Sequence, residues 1–150
     1  YLKINMKQYF AYGSNMSARR IRYRLGWAPS RVSAKLSDYV LSFNKKSPDG
    51  GKANIKSSMG DHVEGILYSL NDLDLDRLDE FEGVHENHYE RKNIQVNDLN
   101  GHLISAIAYV AIKTGPESRP TREYLNYLLE GEHLLSSEYV SKLEDIATEN

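Results

Sequence analysis

The chain of 150 residues is 40% hydrophobic and 27% charged, a balance expected of one soluble globular domain, residues 1–150, with enough apolar surface for a core. Its 19 Lys and Arg against 21 Asp and Glu offer no global attraction to nucleic acid or anionic membranes. The absence of cysteine excludes disulfides, thiolate metal sites and a Cys nucleophile and fits the cytoplasm, while no apolar run approaches the roughly 20 residues of a membrane span.

Because the chain opens on Tyr1 rather than Met, Tyr1 to Asn5 are expected to be a flexible or added leader, with Met6 as the natural start. Lys7 to Tyr12 reads as a strand that runs into the small polar turn Gly13-Ser14-Asn15. Ser17 then caps a short helix, ARRIRYRL, that Gly26 ends. Ser33 to Asn44, with its alternating DYVLSF, is a second strand followed by the polar loop KKSPDGGK. HVEGILYSL is the next strand, and NDLDLDRLDEFEG is a helix capped by Asn71 or Asp72 and stopped at Gly83. YERKNIQVND and GHLISAIAYVAI face each other across Asn100-Gly101, the strongest hairpin signal in the chain. Thr121 to Leu135 and Ser137 to Ala147 close the chain as two helices. The pattern predicts an α+β fold whose mixed sheet is curled or partly closed, barrel-like, with flanking helices. Strand order does not follow from it.

Two positions ask for a function. The turn Gly13-Ser14-Asn15 is either punctuation between strand and helix or a cradle of backbone N–H groups for an oxygen-rich ligand. In the acidic helix, steps of about 100° put Leu75 and Leu78 on the inward face, with Glu82 between them. Asp72, Asp76 and Glu80 point elsewhere, Phe81 flanks the stripe and Asp79 sits at its edge. A carboxylate aimed at a core is costly unless protonated or hydrogen-bonded, so either Glu82 works there or the last turn frays and releases it to water. If Glu82 is buried, that burial, the negative helix end and the neighbours Asp79, Glu80 and Glu86 all act to raise its pKa.

YFAYGSN at the end of the first strand, followed by LDEFEGV in the acidic helix, resembles the γ-glutamylcyclotransferase family, which includes the plant AIG2-like proteins. The stretch EGVHENHY, from Glu82 to Tyr89, is similar to the family's run from its catalytic glutamate to a tyrosine. Tyr109 in AIAYVAI and Tyr124 in PTREYL also stand where the family places tyrosines, whereas NYLLEGEHLLSSEYVSKL follows the family pattern loosely.

The resemblance implies a γ-glutamylcyclotransferase-like fold and an intramolecular aminolysis. The α-amine of a γ-glutamyl group attacks its own γ-carbonyl, releasing 5-oxoproline and a free amine or amino acid. It implies Glu82 as general acid and base, with Phe10, Ala11, Tyr12, Gly13, Ser14, Asn15, Tyr89, Tyr109 and Tyr124 as substrate-binding residues. It further implies no metal and no cofactor, a small-molecule γ-glutamyl substrate rather than a nucleic acid or membrane, and a monomer or homodimer. YGSN looks closer to the γ-glutamyl-amino-acid branch than to the γ-glutamylamine branch, whose turn carries Thr-Leu. The alternative is a non-catalytic AIG2-like module that binds a small molecule or regulates a partner.

Rival chemistries have weaker support. Ser14 lacks the second glycine of a G-x-S-x-G nucleophile elbow. His85 and His88 lie beyond the acidic helix with no matching cluster and read as loop histidines, not metal ligands; His62, His102 and His133 are isolated. Arg19, Arg20, Arg22, Arg24 and Arg31, beside Tyr23 and Trp27, have the composition of a phosphate grip, but Ile21 and Leu25 packed inward favour a solvated helix face near the substrate's carboxylates. One arginine is expected to reach an anionic substrate; the sequence does not say which.

Overall fold

The computed structural model describes residues 5–150, so all of the expected leader except Asn5 lies outside the described residues. Among the described residues there are five strands: β1 (Lys7–Ala11), β2 (Arg31–Lys45), β3 (Lys52–Leu70), β4 (Tyr89–Asp98) and β5 (Leu103–Ala111). Four α-helices accompany them: α1 (Ala18–Leu25), α2 (Asp72–Glu82), α3 (Arg122–Leu129) and α4 (Ser137–Glu144). The strands close into a barrel in the order β1-β3-β2-β4-β5. Every pairing is antiparallel except β1 with β5, which seals the barrel in parallel at Tyr9 and Ile107. The expected curled sheet is thus a fully closed, mixed one.

β3 is longer than its sequence pattern indicates, because Lys52 to Asp61 continue the strand against the second half of β2. Register shifts between Ser37 and Tyr39 and between Ser42 and Lys45 interrupt that ladder, with Asp38 at φ 64°. Each shift changes which face a side chain occupies, so the period-two signal is erased there although the hydrogen bonds persist. The long helix expected over Thr121 to Leu135 is broken: α3 stops at Leu129, and Glu132–Leu134 is a separate 3-10 turn beyond Gly131. α4 ends at Glu144, short of Ala147.

The core joins strand residues such as Phe10, Ile66, Leu70 and Val96 to the inward stripes of the helices, Ile21 and Leu25 of α1, Leu75 and Leu78 of α2, Leu125 and Leu128 of α3. Each helix begins on a side-chain cap: Ser17, Asn71, Thr121 and Ser136 accept from the backbone N–H three residues on. α1 packs on α2, where Arg77 Nη1 donates to the Leu25 carbonyl at 2.8 Å and Trp27 Nε1 to Asp74 at 3.0 Å. α3 packs on the 3-10 turn Ser14–Met16 that follows β1. α1 and α3 therefore converge on the 3-10 turn, and α2 reaches it through the Glu82 side chain. No helix among the described residues is long and apolar enough to cross a membrane.

Candidate active site

The chain leaves the barrel at the end of β1 through Tyr12 and turns at once into the 3-10 turn. The turn's own bonds begin with Met16 N–H to the Gly13 carbonyl (3.0 Å) and Ser17 N–H to the Ser14 carbonyl (3.1 Å). The N–H groups of Ser14 and Asn15 precede that first closed ring, so they belong to its open, positive end. Gly13 sits in close quarters: a Cβ there would lie 3.2 Å from Ala53 Cβ and 3.4 Å from Tyr124 Oη, so these neighbours would have to give by a few tenths of an ångström.

Glu82 ends α2 beside this turn. Its side chain is 17% exposed, and Oε1 accepts from Asn15 Nδ2 at 3.3 Å and Arg24 Nη1 at 3.4 Å. The last turn of α2 does not fray, because Gly83, at φ 67° and ψ 38°, returns its N–H to the carbonyls of Asp79 and Glu80. Arg24 is 10% exposed, lies 4.9 Å over the Phe81 ring and also donates to Asn15 Oδ1 at 3.1 Å. Asn15, Arg24 and Glu82 thus form a closed triangle of side chains.

Burial pushes the Glu82 carboxyl above the ordinary glutamate range, and the Arg24 and Arg20 charges and the Arg24 and Asn15 hydrogen bonds pull it part of the way back. The acidic neighbours expected to help raise it are not the deciding influence. Asp79 is buried on another side of α2, where it takes both Arg91 donors at 2.8 Å and the Tyr109 hydroxyl at 2.7 Å. Burial lowers the pKa of Arg24, a guanidinium that nevertheless stays the cation of the pair because its ordinary value is so high.

Tyrosines build the rest of the wall. Tyr12 donates to the Tyr109 carbonyl, Tyr89 donates to the Ala53 carbonyl at 2.8 Å, and the Ala53 N–H donates to Tyr124 Oη at 3.1 Å. Tyr9 accepts from Asn15 Nδ2 at 2.9 Å while its ring stacks on Tyr68. Burial raises the pKa of all of these phenols, that of Tyr124 to about 12, so around neutral pH they are uncharged, and Glu82 is the one carboxyl group in the lining.

One narrow cavity is lined by Tyr12, Gly13, Ser14, Asn15, Glu82, Tyr89, Tyr109 and Tyr124, eight of the residues that the resemblance singles out. Phe10 and Ala11 are not part of its lining; both are buried in β1 against β3, where only Gly65 lets the strands approach so closely. Tyr9 and Ala53 line the cavity and were not anticipated, and neither were the inward roles of Arg20 and Arg24. Spacing held a clue to the arginines: Arg20 and Arg24 are an i,i+4 pair flanking the apolar Ile21 and Leu25.

The arginine face is far from fully solvated. Arg19 pairs with Glu130 at 3.0 Å, Arg20 Nε donates to Ser14 Oγ at 3.0 Å, and Arg31 donates to Tyr68 Oη at 2.9 Å and the Met16 carbonyl at 3.0 Å. Ser14 Oγ accepts from Arg20, no histidine lines the cavity, and no hydrogen bond joins the Ser14 hydroxyl to a base among the described residues. His85 and His88 are exposed. Wider grooves lie elsewhere, one of about 650 Å³ between β2 and α4 and another beside Glu64 among them. The cavity at Glu82 measures about 30 Å³, close to one water's share of liquid.

Residues 62–143 match the family model described as the AIG2-like family. The chain is 35% identical to human gamma-glutamylcyclotransferase over 92% of its own length and 77% of that protein's. It is 32% identical to AIG2-like protein D of Arabidopsis thaliana, over 93% of each chain. A solved structure of a gamma-glutamyl cyclotransferase superposes with a TM-score of 0.87 at 30% identity, covering 97% of this chain and 90% of that one.

Proposed function

The chain belongs to the γ-glutamylcyclotransferase family, AIG2-like proteins included, and from that premise we propose that it converts a small γ-glutamyl donor to 5-oxoproline with Glu82 as the proton carrier. Residues 1–150 would act as one domain. The observation that carries this reading is the half-enclosed Glu82 carboxyl, braced by Asn15 and Arg24 beside the open N–H groups of the turn.

The donor's α-ammonium first gives a proton to the Glu82 carboxylate. The freed amine forms a C–N bond to the γ-carbon, and the carbonyl π pair moves to oxygen. The N–H groups of Ser14 and Asn15 are suited to meet that oxyanion or the donor's α-carboxylate. As the oxyanion collapses, Glu82 gives its proton to the leaving nitrogen and the original C–N bond breaks; the ring nitrogen, left cationic by the attack, then passes its second proton through the Glu82 carboxylate to the freed amine, which departs as an ammonium. Glu82 ends the cycle ionised, as it began. An acid whose pKa is raised towards the working pH suits both transfers. Neutral tyrosines, Tyr12, Tyr89 and Tyr124, would line the γ-glutamyl head, with Tyr109 anchored behind by Asp79. Admitting that head requires the walls of so narrow a cavity to part.

Release of 5-oxoproline from a panel of γ-glutamyl donors tests the proposal. Wild type should release it, and Glu82→Gln should lower turnover by about 10²–10⁴-fold while 5-oxoproline still binds. Binding of 5-oxoproline without turnover of any donor would make the chain a binding module instead.

A further inference from the structure

Two arginines of α1 have carboxylate partners: Arg19 with Glu130 and Arg24 with Glu82. Arg20 forms no ion pair among the described residues. It is not loose. Nε is committed to Ser14 Oγ at 3.0 Å, and the guanidinium carbon lies 4.4 Å over the Tyr127 ring of α3. Those contacts use one edge and one face of the plane. No acceptor among the described residues takes either Nη group, so a fork of four N–H bonds is oriented but unengaged. The residue is half-buried, which raises the cost of leaving a cation without a counter-charge.

Its place suits an anion at the cavity rim. Ser14, the residue it grips, lines the cavity, and the Arg20 charge is felt inside it at Glu82 and Tyr124. Ring closure must carry the donor's α-amine to Glu82, which draws the glutamyl head into the narrow interior. The substituent on the scissile nitrogen is then directed outward. When the leaving group is an α-amino acid, its carboxylate stands only two bonds from that nitrogen, at the rim. An amine leaving group has no such charge.

Resting on the γ-glutamyl reading above, we infer that Arg20, held by Ser14 and Tyr127, is a specificity-determining residue that receives the carboxylate of a leaving α-amino acid. The turn, the helix and α3 then cooperate: Tyr127 supports the guanidinium plane, Ser14 sets its rotation, and the free fork reads the leaving group. Arg24 differs in already having a counter-charge, since its Nη1 donates to Glu82 and Asn15.

The test compares kcat/KM for γ-glutamylalanine and γ-glutamylethylamine, donors that share head and scissile amide and differ by the one carboxylate. Wild type should prefer γ-glutamylalanine by about 10- to 100-fold, the worth of a charge-assisted hydrogen-bonded pair. Arg20→Gln should bring that ratio towards one, chiefly through KM for γ-glutamylalanine. Arg20→Lys, which keeps the charge without the fork, should restore part of it. The inference is overturned if wild type shows no preference, or if Arg20→Gln depresses both donors equally and leaves the ratio intact. The wild-type comparison stands even where a variant folds poorly. A wild-type protein that releases 5-oxoproline from neither donor, nor from any other γ-glutamyl compound, would instead overturn the functional reading on which this one rests.

Discussion

Glu82 sits between opposed influences, and its titration is where they can be measured. Burial raises its pKa, while Arg24, the first of the groups opposing burial, favours the carboxylate. With the folded-state pKa above that of the unfolded chain, the native state keeps a proton that the unfolded state has lost over the interval between the two. Below the ordinary glutamate value of about 4.3 the burial has no charge to penalise; as pH rises through the folded pKa, wild type loses stability. Glu82→Gln should therefore gain stability relative to wild type between about pH 4 and pH 8, as read by urea unfolding at each pH. A flat difference would mean that Arg24 cancels the burial completely. Arg24→Met removes the opposing cation, so the acid limb of the kcat/KM profile should move to higher pH, with Arg24→Lys falling between the two. An unmoved limb would show that Glu82 does not govern it.

At the scale of an element, α2 is a helix fixed at both ends, and the ends should fail differently. Its start is a capping box in which Asn71 accepts from Asp74 N–H at 2.8 Å and Asp74 accepts from Asn71 N–H at 3.2 Å, while Trp27 also binds Asp74. Its finish is Gly83 in the left-handed region, where a Cβ would come within 2.7 Å of His88 Cδ2. Asn71→Ala should cost about 1 kcal/mol of stability and little activity, since the cap lies at the far end from Glu82. Gly83→Ala should cost about 1–2 kcal/mol from backbone strain and also reduce turnover, because the strained residue adjoins Glu82. Denaturation and 5-oxoproline release measured on both variants separate the effects. Equal loss of activity from the two would show that the helix terminus does not aim the carboxyl group.

The whole molecule ties that helix to the barrel through Asp79, which takes Arg91 from β4 and the Tyr109 hydroxyl from β5. Arg91→Met leaves a buried carboxylate without its cation and should destabilise the fold by about 2–3 kcal/mol; adding Asp79→Asn should recover part of the loss in a double-mutant cycle. Strict additivity of the two changes in urea unfolding would rule out the coupling. Much of the fold was legible in residues that act within a turn or a pleat of themselves. The Ser17 and Asn71 caps, the stops at Gly26 and Gly83, the Asn100-Gly101 turn and the shared face of Leu75, Leu78 and Glu82 depend on neighbours a few positions away. The sequence alone therefore determined the kinds and most positions of the elements and put Glu82 on the apolar face of α2, but it did not show that Asp74 and Asp79 would be buried as well. Tertiary structure decided what the Glu82 carboxyl group meets. Glu82 finds Arg24 across 58 residues and Asn15 across 67, and no local period encodes such partners. Barrel closure by Tyr9 and Ile107, the extra length of β3 across its register shifts, the exclusion of Phe10 and Ala11 from the cavity and the lack of a carboxylate partner for Arg20 among the described residues were decided there too. Local bonds are specified by short sequence windows, whereas ladder register and ion pairing form only when distant segments are packed together and water is removed between them.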